Sequence, residues 1–378
     1  MNANFNLRET FLDKTEKALF FLLSLACAFI GFPSEMSVPA LAAYIFFLIA
    51  FGGVVLFNNG FKCSRYEASY ISIILLFILY GMMNSLISYG NGYDFRDWLV
   101  SMVIILSLFI TIAMIFSGLK VTYIINVVIL VSFLWTIKVM YSVLQVIPIK
   151  SLLGIRITGV EIDAVMPYPL VAAVLTLFYL CDKNKIYYFL YAWFCFFIVI
   201  VGYKAVIAVV GLATVVYFLG GKISVSKIIF LIAISGLFIS FGLYDYVLVR
   251  FDSIGGDGDR IRIEEVSAAL KLFESSPFYG VGLGFSIPNT ETAGLTKTYI
   301  HNSFVYLITS IGLFGLLIYS VVVLGSCLNR GKLNYLTMLL FLFLIASLTS
   351  AAFKLFQFNY LLVILLFLNL KRNELNDE

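Results

Sequence analysis

The stretch YIHNSFVYLITSIGLFGLLIYSVVVL, residues 299–324, sets a polar head, His301-Asn302-Ser303, directly against an apolar run. Such a run crosses a bilayer core as a single helix, which takes about 20 apolar residues. His301 is the only histidine in the chain, and it separates this run from the longest hydrophilic stretch, 249–298. A histidine at a membrane boundary can be a bystander. It is also the side chain that exchanges a proton near neutral pH. Gly312 and Gly315, further along the same predicted helix, read as a helix-packing groove.

The rest of the chain has the same character. Of 378 residues, 62% are hydrophobic and 12% charged. The mean hydropathy of +1.03 lies outside the range of soluble domains. The reading is an all-α polytopic membrane protein, one integral domain over 1–378, with no nucleic-acid partner. Spans are predicted near 18–33, 38–57, 68–89, 97–117, 121–147, 164–181, 186–202, 204–220, 228–248, 300–325, 333–353 and 355–370, about twelve transmembrane helices in all. The first seventeen residues lack the pattern of a cleavable signal, so the first helix is expected to stay as an anchor. Cys27, Cys63, Cys181, Cys195 and Cys327 show neither a disulfide framework nor metal-ligand spacing.

Basic residues orient the spans. With the N-terminus inside, the short inner linkers carry Lys62 and Arg65, Lys120, Lys183 and Lys185, Lys222 and Lys227, Arg330 and Lys332, then Lys371 and Arg372. Both termini then lie in the cytoplasm. The 249–298 loop falls on the periplasmic or extracellular side, together with 148–163. Against the rule, ten basic residues fall on that outer side, Arg260 and Arg262 in the long loop among them; in short loops such charge is disfavoured, so Arg156, Lys204 and Lys354 need a reason to be there. Lys138, inside the fifth span, is either a functional residue or a snorkelling one.

Within the outer loop, 260–275 reads as an amphipathic helix on the membrane surface, with Val266, Ala269, Leu270 and Phe273 on one face. Pro277 ends it, and Gly280-Val-Gly282-Leu-Gly284 makes a tight turn. These glycines follow a helix instead of preceding one, which excludes a P-loop. The acids around Gly255-Gly256 miss the spacing of a calcium loop. With one histidine and no outer cysteine, no metal or other cofactor is expected. Clustered arginine and lysine beside one proton-exchanging group suit an anionic lipid headgroup. The inventory describes a transferase acting on a phosphate-activated lipid at the outer face.

Three blocks then resemble the O-antigen ligase and polymerase superfamily. They are Arg156-Ile-Thr-Gly159; Arg262 with the helix ending Ser276-Pro277-Phe278-Tyr279-Gly280-Val281-Gly282-Leu283-Gly284; and His301-Asn302 followed, nine residues on, by Gly312-Leu-Phe-Gly315. The likeness covers about 150–330. Where many members of that family have Ser-Arg, this chain has Tyr203-Lys204, which keeps the charge and loses the two-pronged fork. The resemblance implies a membrane-embedded glycosyltransferase fold of the C type in the bacterial inner membrane, working without a metal on undecaprenyl-pyrophosphate-linked oligosaccharide. On that reading Arg156, Lys204, Arg262 and Arg260 hold the pyrophosphate. His301, with Glu161 as the second candidate base, serves the acceptor, while Asn302, Gly280, Gly312 and Gly315 are structural. A polymerase is favoured over a ligase that delivers to lipid A–core, and both over a lipid-glycan flippase or transporter. A chain-length regulator protein is the expected partner.

Overall fold

A chain this apolar must satisfy its own N–H and C=O groups within each segment, and the helix is how it does so. The computed structural model describes residues 2–30, 38–90, 95–146, 167–181, 183–201, 204–220, 257–285, 300, 302–328, 334–348, 353 and 355–372. In chain order the helices are α1 (Asn2–Ala28), α2 (Val38–Asn59), α3 (Arg65–Gly90), α4 (Phe95–Leu106), α5 (Phe109–Phe116), α6 (Val121–Val146) and α7 (Pro167–Leu175). There follow α8 (Tyr187–Val201), α9 (Lys204–Gly220), α10 (Asp257–Ser275), α11 (Ser303–Cys327), α12 (Tyr335–Ser347) and α13 (Phe356–Leu370). Among the described residues every regular element is helical.

Five stretches are long and apolar enough to cross a membrane: Val38–Asn59, Arg65–Ile87, Trp98–Phe116, Val121–Ser142 and Ser303–Cys327. Shorter apolar helices accompany them at Pro167–Leu180, Tyr187–Val201, Lys204–Leu219, Tyr335–Ser347 and Phe356–Leu370. The protein is a polytopic helical membrane protein. Most expected spans match a helix within a few residues, but the run at 97–117 is two helices. Ser107 Oγ donates to Ile104 O at 2.5 Å, and the chain restarts with Ile110 N–H on Ser107 O at 2.9 Å. α7 passes into a π-helical turn, Thr176–Leu180. α1 begins well before the expected 18, and α12 ends at Ser347, short of 353. The expected span at 228–248 lies outside the described residues.

α13 is the hub. Its sequence, FQFNYLLVILLFLNL, is apolar on every side, and a helix of that kind must be enclosed. Every residue from Phe356 to Leu370 is buried, packed by α1, α5, α7, α11 and α12. Phe358 stacks on Phe343 with centroids 4.4 Å apart, and Tyr44 meets both Phe356 and Tyr360. Two of its polar interruptions bond within the bundle, Tyr360 with Ser24 and Asn359 to the carbonyls of Phe353 and Leu355, whereas the buried Gln357 amide has no hydrogen-bond partner among the described residues.

α3 and α11 run antiparallel along one side of this hub. Three tyrosines of α3 donate in order to carbonyls of α11: Tyr66 to Gly325, Tyr70 to Val322 at 3.1 Å and Tyr80 to Ile311 at 2.6 Å. The pair therefore has one fixed register. One end of it meets α12 and α13, and the other meets α10.

Candidate functional site

The site begins where two helices stop. α10 ends at Ser275, ahead of Pro277, whose ring and missing N–H cannot continue a helix. The chain then turns through Gly280, Gly282 and Gly284 at φ 76°, 102° and 88°. Only glycine takes such left-handed values without strain. α11 opens on Asn302, whose side chain accepts the Val305 N–H at 3.0 Å and so satisfies an orphan donor of the first turn.

α11 does not stay helical. At Gly312 the backbone takes φ 66°, ψ −173°, a region essentially confined to glycine. That break frees the carbonyls of Thr309 and Ser310 and the amides of Leu313 and Phe314. The glycine loop takes up all four. Val281 N–H donates to Thr309 O at 2.9 Å and Gly282 N–H to Ser310 O at 3.0 Å. Leu313 N–H donates to Pro277 O at 2.9 Å and Phe314 N–H to Phe278 O at 3.1 Å. The backbones are in direct contact. A Cβ on Gly280 would strike the Ser310 carbonyl, and one on Gly312 the Phe278 carbonyl. Gly312 is thus a deliberate helix break, not part of a packing groove. Gly315 does meet a packed neighbour, since a Cβ there would lie 2.6 Å from the Tyr80 ring.

α3 closes the third side. Asn84 Nδ2 donates to Tyr279 O at 2.7 Å, and Asn84 Oδ1 accepts from Leu283 N–H at 2.8 Å. The Tyr80 hydroxyl also reaches Tyr279 O at 3.3 Å. On the other side Ala269, Val281, Phe285, Ile300 and Tyr306 form a small satellite core, with the rings of Phe285 and Tyr306 stacked at 5.4 Å. Thr309 Oγ1 donates to Ala269 O at 3.4 Å.

α10 faces the protein differently from the sequence expectation. Among its described side chains the fully buried ones are Glu265 and Ala269, with Leu272 behind them, while Leu270 is exposed. The buried face is rotated by roughly a quarter turn from the Val266–Ala269–Leu270–Phe273 stripe. The small side chain of Ala269 lets α10 approach α11 closely; Val266 packs against the same small core, and Leu270 is left on the open side. Glu265 is a buried carboxylate, a group that proteins keep only when it is paired or neutral.

The expected site residues fall in three places. Arg262 lies half-buried on α10, one turn before Glu265 and Val266, and Arg260 falls in the first turn of the same helix. Asn302, Gly280, Gly312 and Gly315 belong to the interlock just described. Lys204 is half-buried at the head of α9, which packs on α7, α8 and α12, whereas α10 packs on α11. His301, Arg156 and Glu161 lie outside the described residues; His301 is flanked in sequence by buried Ile300 and the capping Asn302. Lys138 is exposed on α6, its ammonium 4.5 Å from the Trp135 ring and 4.7 Å from Phe29. Asn84 and Tyr80 were missed; a lone asparagine in the apolar run Met82-Met83-Asn84 was the available signal.

Two cavities lie along α11. One of about 40 Å³ is lined by Leu283 of the glycine loop and in part by Ser101, Ser107 and Asn359. A cleft of about 250 Å³ runs along α11 from Phe304 to Leu324, with Leu344 and Leu348 of α12 opposite. Leu307, Tyr319 and Phe353 wall both. Among the described residues no cluster of three or more His, Cys, Asp or Glu side chains could hold a metal ion. No protein-family model matches the chain, and no curated protein matches it.

Proposed function

We propose that the protein is a membrane-embedded, metal-independent glycosyltransferase. In this reading it is a polymerase of an O-antigen or capsular polysaccharide, moving a growing glycan from undecaprenyl pyrophosphate onto the next lipid-linked repeat unit. One observation carries the proposal. The arginine-bearing helix α10 and the helix that follows His301 are joined by four backbone hydrogen bonds through their glycine motifs. Two of the three sequence blocks behind the family resemblance thus converge on one spot.

The chemistry assigned to that spot is transfer at an anomeric carbon. The bond from that carbon to the pyrophosphate oxygen breaks, and the electron pair leaves with the pyrophosphate. Arg262, with Arg260, Arg156 and Lys204, stabilises the charge that develops there. The acceptor hydroxyl attacks the same carbon, and its proton passes to His301, with Glu161 as the second candidate base. Asn302 fixes the first turn of the helix that bears on this step. The apolar cleft along α11 starts two residues beyond Asn302 and offers hydrocarbon-lined space for a lipid chain. The site faces the periplasm, both termini are cytoplasmic, and α10 with its loop forms the described part of the outer segment 249–298.

A transporter would carry its charges along a path inside the bundle. Lys138, the cation expected deepest in a span, instead sits exposed beside two rings, as a snorkelling lysine does. The purified protein, given undecaprenyl-pyrophosphate-linked repeat units, is expected to make longer lipid-linked chains on a gel. Transfer only to lipid A–core would make it a ligase, and no covalent product would overturn the glycosyltransferase reading.

A further inference from the structure

We propose that Asn84, on α3, is a positioning residue for the transfer step: its amide ties the loop after arginine-bearing α10 to the helix that also holds α11. The functional consequence rests on the glycosyltransferase reading above; the geometric part rests on the structure alone.

Asn84 is 2% exposed, and it follows the apolar run 73–83 of α3. Most buried amides find partners for their donors and acceptor. Its two partners stand four residues apart, Tyr279 O and Leu283 N–H. In a continuous helix those two groups would bond each other. The asparagine amide is inserted between them, so one side chain completes a rung that the three glycines have opened. Its distances of 2.7 and 2.8 Å make both bonds well formed.

Tyr80, one turn earlier on α3, touches both halves of the interlock, Ile311 O on α11 and Tyr279 O on the loop. α3 is itself held to α11 further along by Tyr70 and Tyr66. The loop after α10 is therefore referenced to the same helix that references α11. Neither half of the site needs α3 for its own chemistry; what α3 adds to their four backbone bonds is a third support that holds both halves in place. Loss of the Asn84 amide should leave donor binding by the basic residues largely intact and disturb the alignment of donor and acceptor. An error of about 1 Å in such an alignment costs on the order of 100-fold in rate.

The test compares Asn84→Leu, which keeps the branched shape and removes both bonds, with Ile78→Ala, a buried control on the same helix. Tyr80→Phe serves as the gentler variant should Asn84→Leu not fold. Hydrogen exchange of the segment 279–285 is read on each full-length protein, alongside kcat and KM for the lipid-linked donor per folded molecule. Asn84→Leu should speed exchange and lower kcat by about tenfold or more, with KM within about threefold. Tyr80→Phe should follow in the same direction by less. Ile78→Ala should lower Tm and leave kcat near wild type. A wild-type kcat in Asn84→Leu, or an equal kcat loss in Ile78→Ala, overturns the positioning role. Unchanged exchange overturns the clamp itself. A wild-type protein that transfers no sugar overturns the glycosyltransferase reading and the positioning role together, while exchange still decides the clamp.

Discussion

The antiparallel pair α3 and α11 is tied off at both ends, by different means. At the α10 end the ties run from backbone to backbone: four main-chain bonds across Gly280 and Gly312, bridged by Asn84 and Tyr80. At the opposite end they run through side chains: Tyr66 of α3 donates to Gly325 O of α11, and a polar network joins the neighbouring ends of α3, α12 and α13. Lys371 pairs with Glu67 at 2.7 Å, and Arg372 Nη1 donates to Thr337 Oγ1 at 3.1 Å. Thr337 donates in turn to Asn369 Oδ1 at 2.8 Å, and Asn369 Nδ2 donates to Leu336 O at 3.1 Å. Side chains have rotamers with which to absorb an error of an ångström. Main chains in contact do not, and glycine at positive φ leaves no substitute. The first end is built for placement, the second for holding.

That contrast can be broken by mutation. Gly312→Ala should have the largest effect, because left-handed strain and the clash with Phe278 O add to about 2–5 kcal/mol. Gly280→Ala should match it, and thermal unfolding in detergent reads both. A Gly312→Ala protein with wild-type Tm would show that the break in α11 is not needed. Next comes Thr337→Val at the opposite end. It leaves Arg372 and Asn369 each short of a partner and should cost about 1–3 kcal/mol, with kcat per folded molecule unchanged. A large kcat loss there would erase the distinction between the two ends. Lys371→Ala should be smallest, about 1 kcal/mol or less and weaker still in high salt, since the pair is partly open to solvent.

Much of the fold could be read from residue types. α13 is apolar all round and is fully enclosed; α9 falls where the run from Lys204 begins and ends; Pro277 stops α10 as its chemistry requires. The interlock was not legible. Gly280 and Gly312 stood out one by one, but their meeting depends on a pairing between segments about thirty residues apart in sequence. The face of α10 was legible only in part, for a related reason. Hydrophobicity distinguishes water from an apolar surrounding, yet it does not say whether a stripe meets lipid or protein. Ala269 faces α11 because it is small, and Leu270 and Ile263 stay exposed although they are more apolar. Asn84 was legible in principle, since a polar side chain amid apolar ones must find partners, but not which ones.

The central claim is that the interlock assembles a transfer centre in which His301 serves the acceptor and the basic residues hold the lipid pyrophosphate. His301→Ala tests it most directly, with donor binding and sugar transfer measured on the same preparation. Transfer should fall about 100-fold or more, as loss of a general base does, while undecaprenyl pyrophosphate still binds within about threefold of wild type. A His301→Ala protein that transfers sugar at the wild-type rate would contradict the account.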